Sequence, residues 1–208
     1  MKIVLATRNN HKIKEIEALF SDRDINPKNA VAFCGNFLSL KDFSDIPEII
    51  EDCDSFEGNA LKKARVAARH TREIALADDS GLMVDVLDGM PGVYSSRYAG
   101  ENATDDENNK KLLEEIAGIA FEKRIAKYKS VIAVVFPSGE EYIAEGECKG
   151  FIAFEPKGSY GFGYDPVFYV PELKKTMAEL KPEEKNRISH RAKAISAVKR
   201  HLKGEEIV

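Results

Sequence analysis

Short apolar runs alternate along the chain with stretches in which apolar side chains recur every three or four residues, and this alternation restricts the fold more than any other feature. Residues 3–6 form an apolar run, and Ile13, Ile16, Leu19 and Phe20 follow at helical spacing. Residues 2–20 therefore read as strand, polar loop (TRNNHK) and helix. Asp54 and Glu57 are spaced as a capping pair before a helix whose apolar face is Phe56, Ala60, Leu61, Ala64 and Ala68. Residues 74–77 read as a buried strand, 78–81 as a polar turn, and 82–87 as a strand ending at the 89–92 turn. Thr104 and Glu107 form a capping box before Leu112, Leu113 and Ile116. Residues 131–136 and 142–144 flank Pro137, Ser138 and Gly139 as an antiparallel hairpin, to which residues 150–154 add a strand. After the apolar run 167–170, Pro182 opens a final helix with Ile188, Ala192, Ile195, Val198 and Leu202 inward. The expectation is an α/β fold: a twisted mixed sheet flanked by helices, with a smaller lobe around residues 100–155, a cleft between lobes, and residues 1–208 forming one functional domain.

Composition narrows the function. The 208 residues are 43% hydrophobic and 32% charged, enough for a sizeable core under a solvated surface. A net charge of -4 argues against a generic nucleic-acid binder, which needs a broad basic footprint. Cys34, Cys53 and Cys148 have no CxxC spacing, so they suggest neither a disulfide framework nor a zinc site and are expected to be reduced and buried. The apolar run 131–136 is too short to cross a bilayer, and the start MKIVLATRN lacks the pattern of a signal peptide. The expected location is the cytoplasm, with no membrane or nucleic-acid partner.

Four segments could carry chemistry. TRNNHK places Arg8, His11 and Lys12 at a helix N-terminus, where the macrodipole disfavours cations unless an anion binds. The Thr7 hydroxyl, the Asn9 amide, Lys12 and free backbone N–H groups could cradle phosphate there, or the segment is a solvated basic turn capped by Asn9. ADDSG sets Asp78 and Asp79 side by side, which a hard divalent cation would relieve, with Glu51 as a second acid. Alternatively these acids cap turns and face water. GSYGFGYDP has glycines at spacings unlike a dinucleotide fingerprint. It is either a backbone-exposing loop with Tyr160, Phe162 and Tyr164 available to stack a base, or aromatic core around a turn. Residues 181–203 hold eight Lys and Arg against Glu183 and Glu184, a basic stripe that is either a phosphate-facing surface or a solvated helix face.

Taken in order, TRNNHK, SFEGNALKKA, ADDSGLMVDVLDGMPGVYSSRYAG, GSYGFGYDPVF and EEKNRISHRAKA resemble the inosine/xanthosine triphosphate pyrophosphatase family over nearly the whole chain. The resemblance implies hydrolysis of ITP, dITP and XTP to monophosphate and pyrophosphate, dependence on Mg²⁺, and a homodimer whose elongated mixed sheet runs between two lobes. It places the phosphate loop on Thr7, Arg8, Asn9, Asn10, His11 and Lys12, and the metal-binding acids on Glu51 and Asp79. Asp79 is also the proton acceptor, and Ser80 lies among the substrate contacts. Base and sugar contacts correspond to Phe162, Gly163, Tyr164 and Asp165, and to Lys185, His190 and Arg191; Lys63 matches a lysine that approaches the phosphates. The chain departs from the family at Cys53, where a glycine is usual. Two alternatives carry different consequences: a related enzyme acting on other modified nucleotides, pyrimidines included, or a non-catalytic nucleotide- or RNA-binding protein.

Overall fold

The computed structural model describes residues 2–21 and 36–204. Its strands are β1 (Lys2–Leu5), β2 (Asn36–Ser39), β3 (Ile74–Val84), β4 (Ile125–Val135), β5 (Glu141–Ile152), β6 (Phe168–Val170) and β7 (Lys175–Thr176). Its α-helices are α1 (Asn10–Ser21), α2 (Phe56–Thr71), α3 (Asp105–Glu115), α4 (Pro182–Ile188) and α5 (His190–Leu202). The strands form one sheet in the order β2-β1-β3-β4-β5-β6-β7. It is mixed: β1 runs parallel to β2 and β3, while β6 is antiparallel to β5 and β7. This is the α/β architecture that the alternating pattern implies.

The described residues fall into two compact units, one within Met1–Asp79, Ser130–Gly146 and Arg191–Val208, the other within Ser80–Lys129 and Glu147–His190. Each has its own core. In the first unit, Ile3 and Leu5 of β1, Ile16 and Leu19 of α1, Leu76 of β3, Ile132 of β4 and Ile195 and Val198 of α5 pack together. These are the positions at which the sequence repeats apolar side chains, and burying each stabilises by about 1.5–3 kcal/mol. In the second unit, Leu82, Leu112, Ile116, Ile152, Phe168 and Leu180 form the core with Tyr128 and Tyr164. The expected smaller lobe around residues 100–155 is thus replaced by a second unit made of Ser80–Lys129 and Glu147–His190, with residues 130–146 belonging to the first.

Several local expectations are corrected. Residues 78–81 are not a turn: β3 runs unbroken from Ile74 to Val84, and residues 85–87 form a 3₁₀ turn instead of ending a strand. The strand tolerates its acids because cations neutralise them. α2 is capped by Ser55, whose side chain accepts from the Gly58 N–H, not by the Asp54–Glu57 pair. The hairpin is present, but residues 142–144 and 150–152 belong to one long strand, β5. The final helix is two helices, broken at Ser189, which is extended at φ -64° and ψ 153°. The Thr104–Glu107 box does open α3, with both reciprocal bonds formed. Cys148 is buried and Cys53 only half-buried, while Cys34 lies outside the described residues. Among the described residues, no helix is long and apolar enough to cross a membrane.

Candidate active site

In the first unit, the TRNNHK loop leaves β1 and enters α1. The Thr7 hydroxyl accepts from the Asn9 N–H at 3.1 Å, and the Asn9 side-chain oxygen accepts from the N–H groups of His11 (2.9 Å) and Lys12 (3.3 Å). Asn9 therefore caps α1, one turn before Lys12 leaves the helix toward Asp78. Arg8 donates to the Ile46 carbonyl at 3.1 Å, and the Asn10 side chain accepts from Lys41 at 2.5 Å. Thr7 and Lys12 are half-buried, and residues 8–11 face solvent.

Adjacent side chains on a strand point to opposite faces, so β3 gives Asp78 and Asp79 separate surroundings. Asp78 is fully buried: Ser130 on β4 donates to one oxygen at 2.6 Å, and Arg191 (2.9 Å) and Lys12 (2.8 Å) hold the other. Burial alone would push this carboxyl up, but the Arg191 guanidinium and the Lys12 ammonium overcome it and hold it well below the usual carboxylate range. Arg191 is only 1% exposed and also pairs with Glu15 of α1, so the basic stripe is not a solvated face at this position.

Asp79 meets a different cation. The Lys63 ammonium, carried by α2, donates to Glu51 at 2.6 Å, to Asp79 at 2.9 Å and to the Asp78 carbonyl at 2.9 Å. Three donors thus meet three acceptors. Two carboxylates on one ammonium leave an excess of negative charge. Burial pushes the Asp79 carboxyl up, with Glu51 adding to the effect and Lys63 and Lys12 opposing it. For Lys63, burial works downward but the attraction of Asp79 and Glu51 prevails, and its pKa rises. Among the described residues there is no cluster of three or more His, Cys, Asp or Glu able to hold a metal. Two acids suffice for an ion that completes its shell with water and substrate phosphate.

Asn59, which the sequence reading did not single out, organises this corner. It is wholly buried on α2; its side chain accepts from the Cys53 N–H at 3.0 Å and donates to the Cys53 carbonyl and to Asp79, each at 3.3 Å. The irregular segment carrying Glu51 is thereby fixed against the strand acid. The available signal was an amide amid the small residues of SFEGNALKKA, where a solvated role is unnatural. Asn59→Ala leaves the Cys53 peptide unsatisfied, and is expected to lower stability by about 1–3 kcal/mol in a urea titration.

In the second unit, residues 162–165 form a tight turn. Asp165 accepts at one oxygen from the Phe162 N–H (2.9 Å) and from Lys185 (2.6 Å), and at the other from the Tyr128 hydroxyl (3.3 Å). Lys185 also lies over the Phe162 ring, 4.9 Å from its centroid, and His190 stacks on Tyr128 with centroids 4.6 Å apart. Lys185, His190 and Asp165 are all buried, so the basic stripe is not a solvated face at Lys185 either, although Arg187 on the same helix is exposed. A Cβ on Gly161 would lie 2.0 Å from an Asp165 oxygen, which explains a glycine there. Tyr164 is a core residue whose hydroxyl donates to the Ser95 carbonyl at 2.9 Å, and burial pushes its phenol up. Tyr160 is exposed, Phe162 and Gly163 are half-buried, and Ser80 is half-buried beside Asp79 on β3.

The carried-over residues thus form two constellations: Thr7 to Lys12, Glu51, Lys63, Asp79 and Arg191 in one unit, and Ser80, Phe162 to Asp165, Lys185 and His190 in the other. Comparison with known proteins agrees with the motifs. The model of the Ham1 family matches residues 3–201. A dITP/XTP pyrophosphatase of Geobacter sulfurreducens is 50% identical over 97% of this chain and 96% of its own length. One from Geobacillus kaustophilus is 47% identical over 100% and 96%. The structure of the Staphylococcus aureus Ham1 protein superposes with a TM-score of 0.83 at 38% identity, covering 99% of this chain and 100% of that one.

Proposed function

This chain belongs to the Ham1 family, and from that membership and the residue groups above we propose that it is a nucleoside-triphosphate pyrophosphatase hydrolysing dITP, ITP and XTP to monophosphate and pyrophosphate. The observation that carries this reading is the convergence of Glu51 and Asp79, one from an irregular segment and one from β3, on the Lys63 ammonium. Their hard oxygen donors, placed around one cationic centre, suit Mg²⁺, which Glu51 and Asp79 would hold. When bound, Mg²⁺ neutralises phosphate charge and lowers the pKa of a coordinated water.

The chain's own groups supply the rest. The Thr7 to Lys12 loop offers hydroxyl, amide and ammonium groups to the phosphates, and Lys63 keeps the two acids from repelling one another. Asp79 orients a water and takes its proton as the water oxygen bonds to the α-phosphorus; the α–β anhydride bond breaks and pyrophosphate leaves. In the second unit, Phe162, Gly163, Tyr164, Asp165, Lys185 and His190, with Ser80, read the base and sugar. A six-keto oxygen accepts hydrogen bonds where the adenine amino group donates them, so ATP would leave donors unpaired, a mismatch worth roughly 10⁴-fold. The physiological consequence is removal of deaminated purine nucleotides from the cytoplasmic pool. A homodimer belongs to this reading through the family resemblance, and sedimentation at micromolar concentration checks it.

Incubating the chain with dITP, XTP, dATP and dGTP tests the proposal. Pyrophosphate is expected from dITP and XTP but not from dATP, with activity lost in a chelator and restored by Mg²⁺. Equal turnover of all four, or none, contradicts it, and preference for a modified pyrimidine would move the activity to another substrate class.

A further inference from the structure

We propose that Asp105 and Asn109, one turn apart on α3, form a clamp on the Gly163 peptide that positions the 162–165 turn for base recognition. This rests on the pyrophosphatase reading above. The Gly163 N–H donates to Asp105 at 2.6 Å, and the Asn109 amide donates to the Gly163 carbonyl at 2.9 Å. Both backbone groups of one residue are therefore held by a single helix face, since side chains four apart lie above one another.

The turn needs the help. Gly163 has φ +64°, a left-handed conformation that glycine adopts without strain, and nothing lies within 4 Å of a Cβ placed there. Glycine is required at this point by backbone conformation and not by lack of room, and the same freedom would let the turn relax. The turn's own backbone bond, from the Asp165 N–H to the Phe162 carbonyl, is long at 3.3 Å. The shorter bonds from α3 fix the shape, and with it the placement of the Phe162 ring and the Asp165 carboxylate. The helix start is itself fixed by the Thr104–Glu107 box, and Asp105 sits in the first turn, where the macrodipole favours an anion.

Asn109 has the mark of a residue kept for positioning. It is 4% exposed, yet its side-chain oxygen has no hydrogen-bond partner among the described residues. A buried orphan acceptor lowers stability, so packing alone does not account for an amide at this position, whereas its bond to the Gly163 carbonyl does. Its neighbour provides the contrast. Asn108 is also buried, but accepts from the Ala99 N–H at 2.8 Å and donates to the Ser96 carbonyl at 3.2 Å, a bond pair that ties α3 to residues 96–99.

The test compares Asn109→Leu, Asp105→Ala and Asn108→Ala in the full chain, using dITP kinetics, thermal midpoints and amide exchange at Gly163. Asn109→Leu removes the orphan oxygen but also deprives the half-buried Gly163 carbonyl of its donor, so the midpoint is expected to move by no more than a few degrees while KM for dITP rises about tenfold and kcat changes much less. Asp105→Ala, at an exposed site, is expected to fold normally and to speed Gly163 amide exchange by about tenfold, with a smaller rise in KM. Asn108→Ala is expected to lower the midpoint and leave KM within about twofold. A lowered midpoint with unchanged KM in Asn109→Leu, or unchanged Gly163 exchange in Asp105→Ala, overturns the clamp. Failure of the unmodified chain to hydrolyse dITP overturns the pyrophosphatase reading instead, and the exchange measurement then still decides whether the clamp exists.

Discussion

Asp79→Asn is expected to lower kcat/KM for dITP by about 10²- to 10⁴-fold, the range over which a positioned general base contributes, and to leave the chain folded. Asparagine preserves the shape of the side chain and removes its charge. Lys63 keeps Glu51 and the Asp78 carbonyl as partners, so its ammonium is not stranded. Burial already works against the charged form of Asp79, and losing that charge removes part of the burden. The change in stability should stay within about 1 kcal/mol, a shift of a few degrees in thermal midpoint. Pre-steady-state and steady-state assays with dITP, alongside a melting curve, check both halves. Retained turnover would remove Asp79 from the chemistry, and loss of folding would assign it a structural role.

The neighbouring acid should behave in the opposite way. Asp78→Ala is expected to destabilise the chain by about 3–5 kcal/mol, because Arg191 and Lys12 lose the carboxylate that compensates them in the interior. The thermal midpoint would fall by roughly 6–20 °C for a chain of this size. Ser130 loses its acceptor at the same time. Activity measured well below the melting transition should suffer less from this loss than from Asp79→Asn, since Asp78 is turned toward the buried cations. A melting point unchanged in Asp78→Ala would mean that water or a rearranged Glu15 neutralises Arg191. The two aspartates, indistinguishable by composition, are thus separated by one measurement of rate and one of stability.

Particular elements show what the sequence made legible. The strand–loop–helix opening was readable because its hydrophobic period changes sharply around TRNNHK, and the Thr104–Glu107 box because both of its partners lie within one turn. From sequence alone the acids of β3 read as a turn, because adjacent carboxylates within a strand make sense only beside their cations. Lys12 and Arg191 are 66 and 113 residues from Asp78, and no local pattern joins them. The break at Ser189 was invisible for a related reason: the apolar period continues across it, while Lys185 is held by Asp165 and Arg191 by Asp78. The family was legible through ordered motifs, and the Ham1 match over residues 3–201 agrees with them; the candidate site residues follow from that resemblance. Asn59, Asp105 and Asn109 were not legible, because each acts through a backbone group or carboxylate that sequence spacing does not reveal.

Hydrolysis of dITP in ¹⁸O-labelled water examines the proposed chemistry at its centre. If water is delivered to the α-phosphorus, the heavy oxygen enters the nucleoside monophosphate, and the released pyrophosphate carries none. Label in pyrophosphate or in inorganic phosphate would place the attack elsewhere on the chain of phosphates and contradict the assignment of Asp79 and Glu51 to that bond.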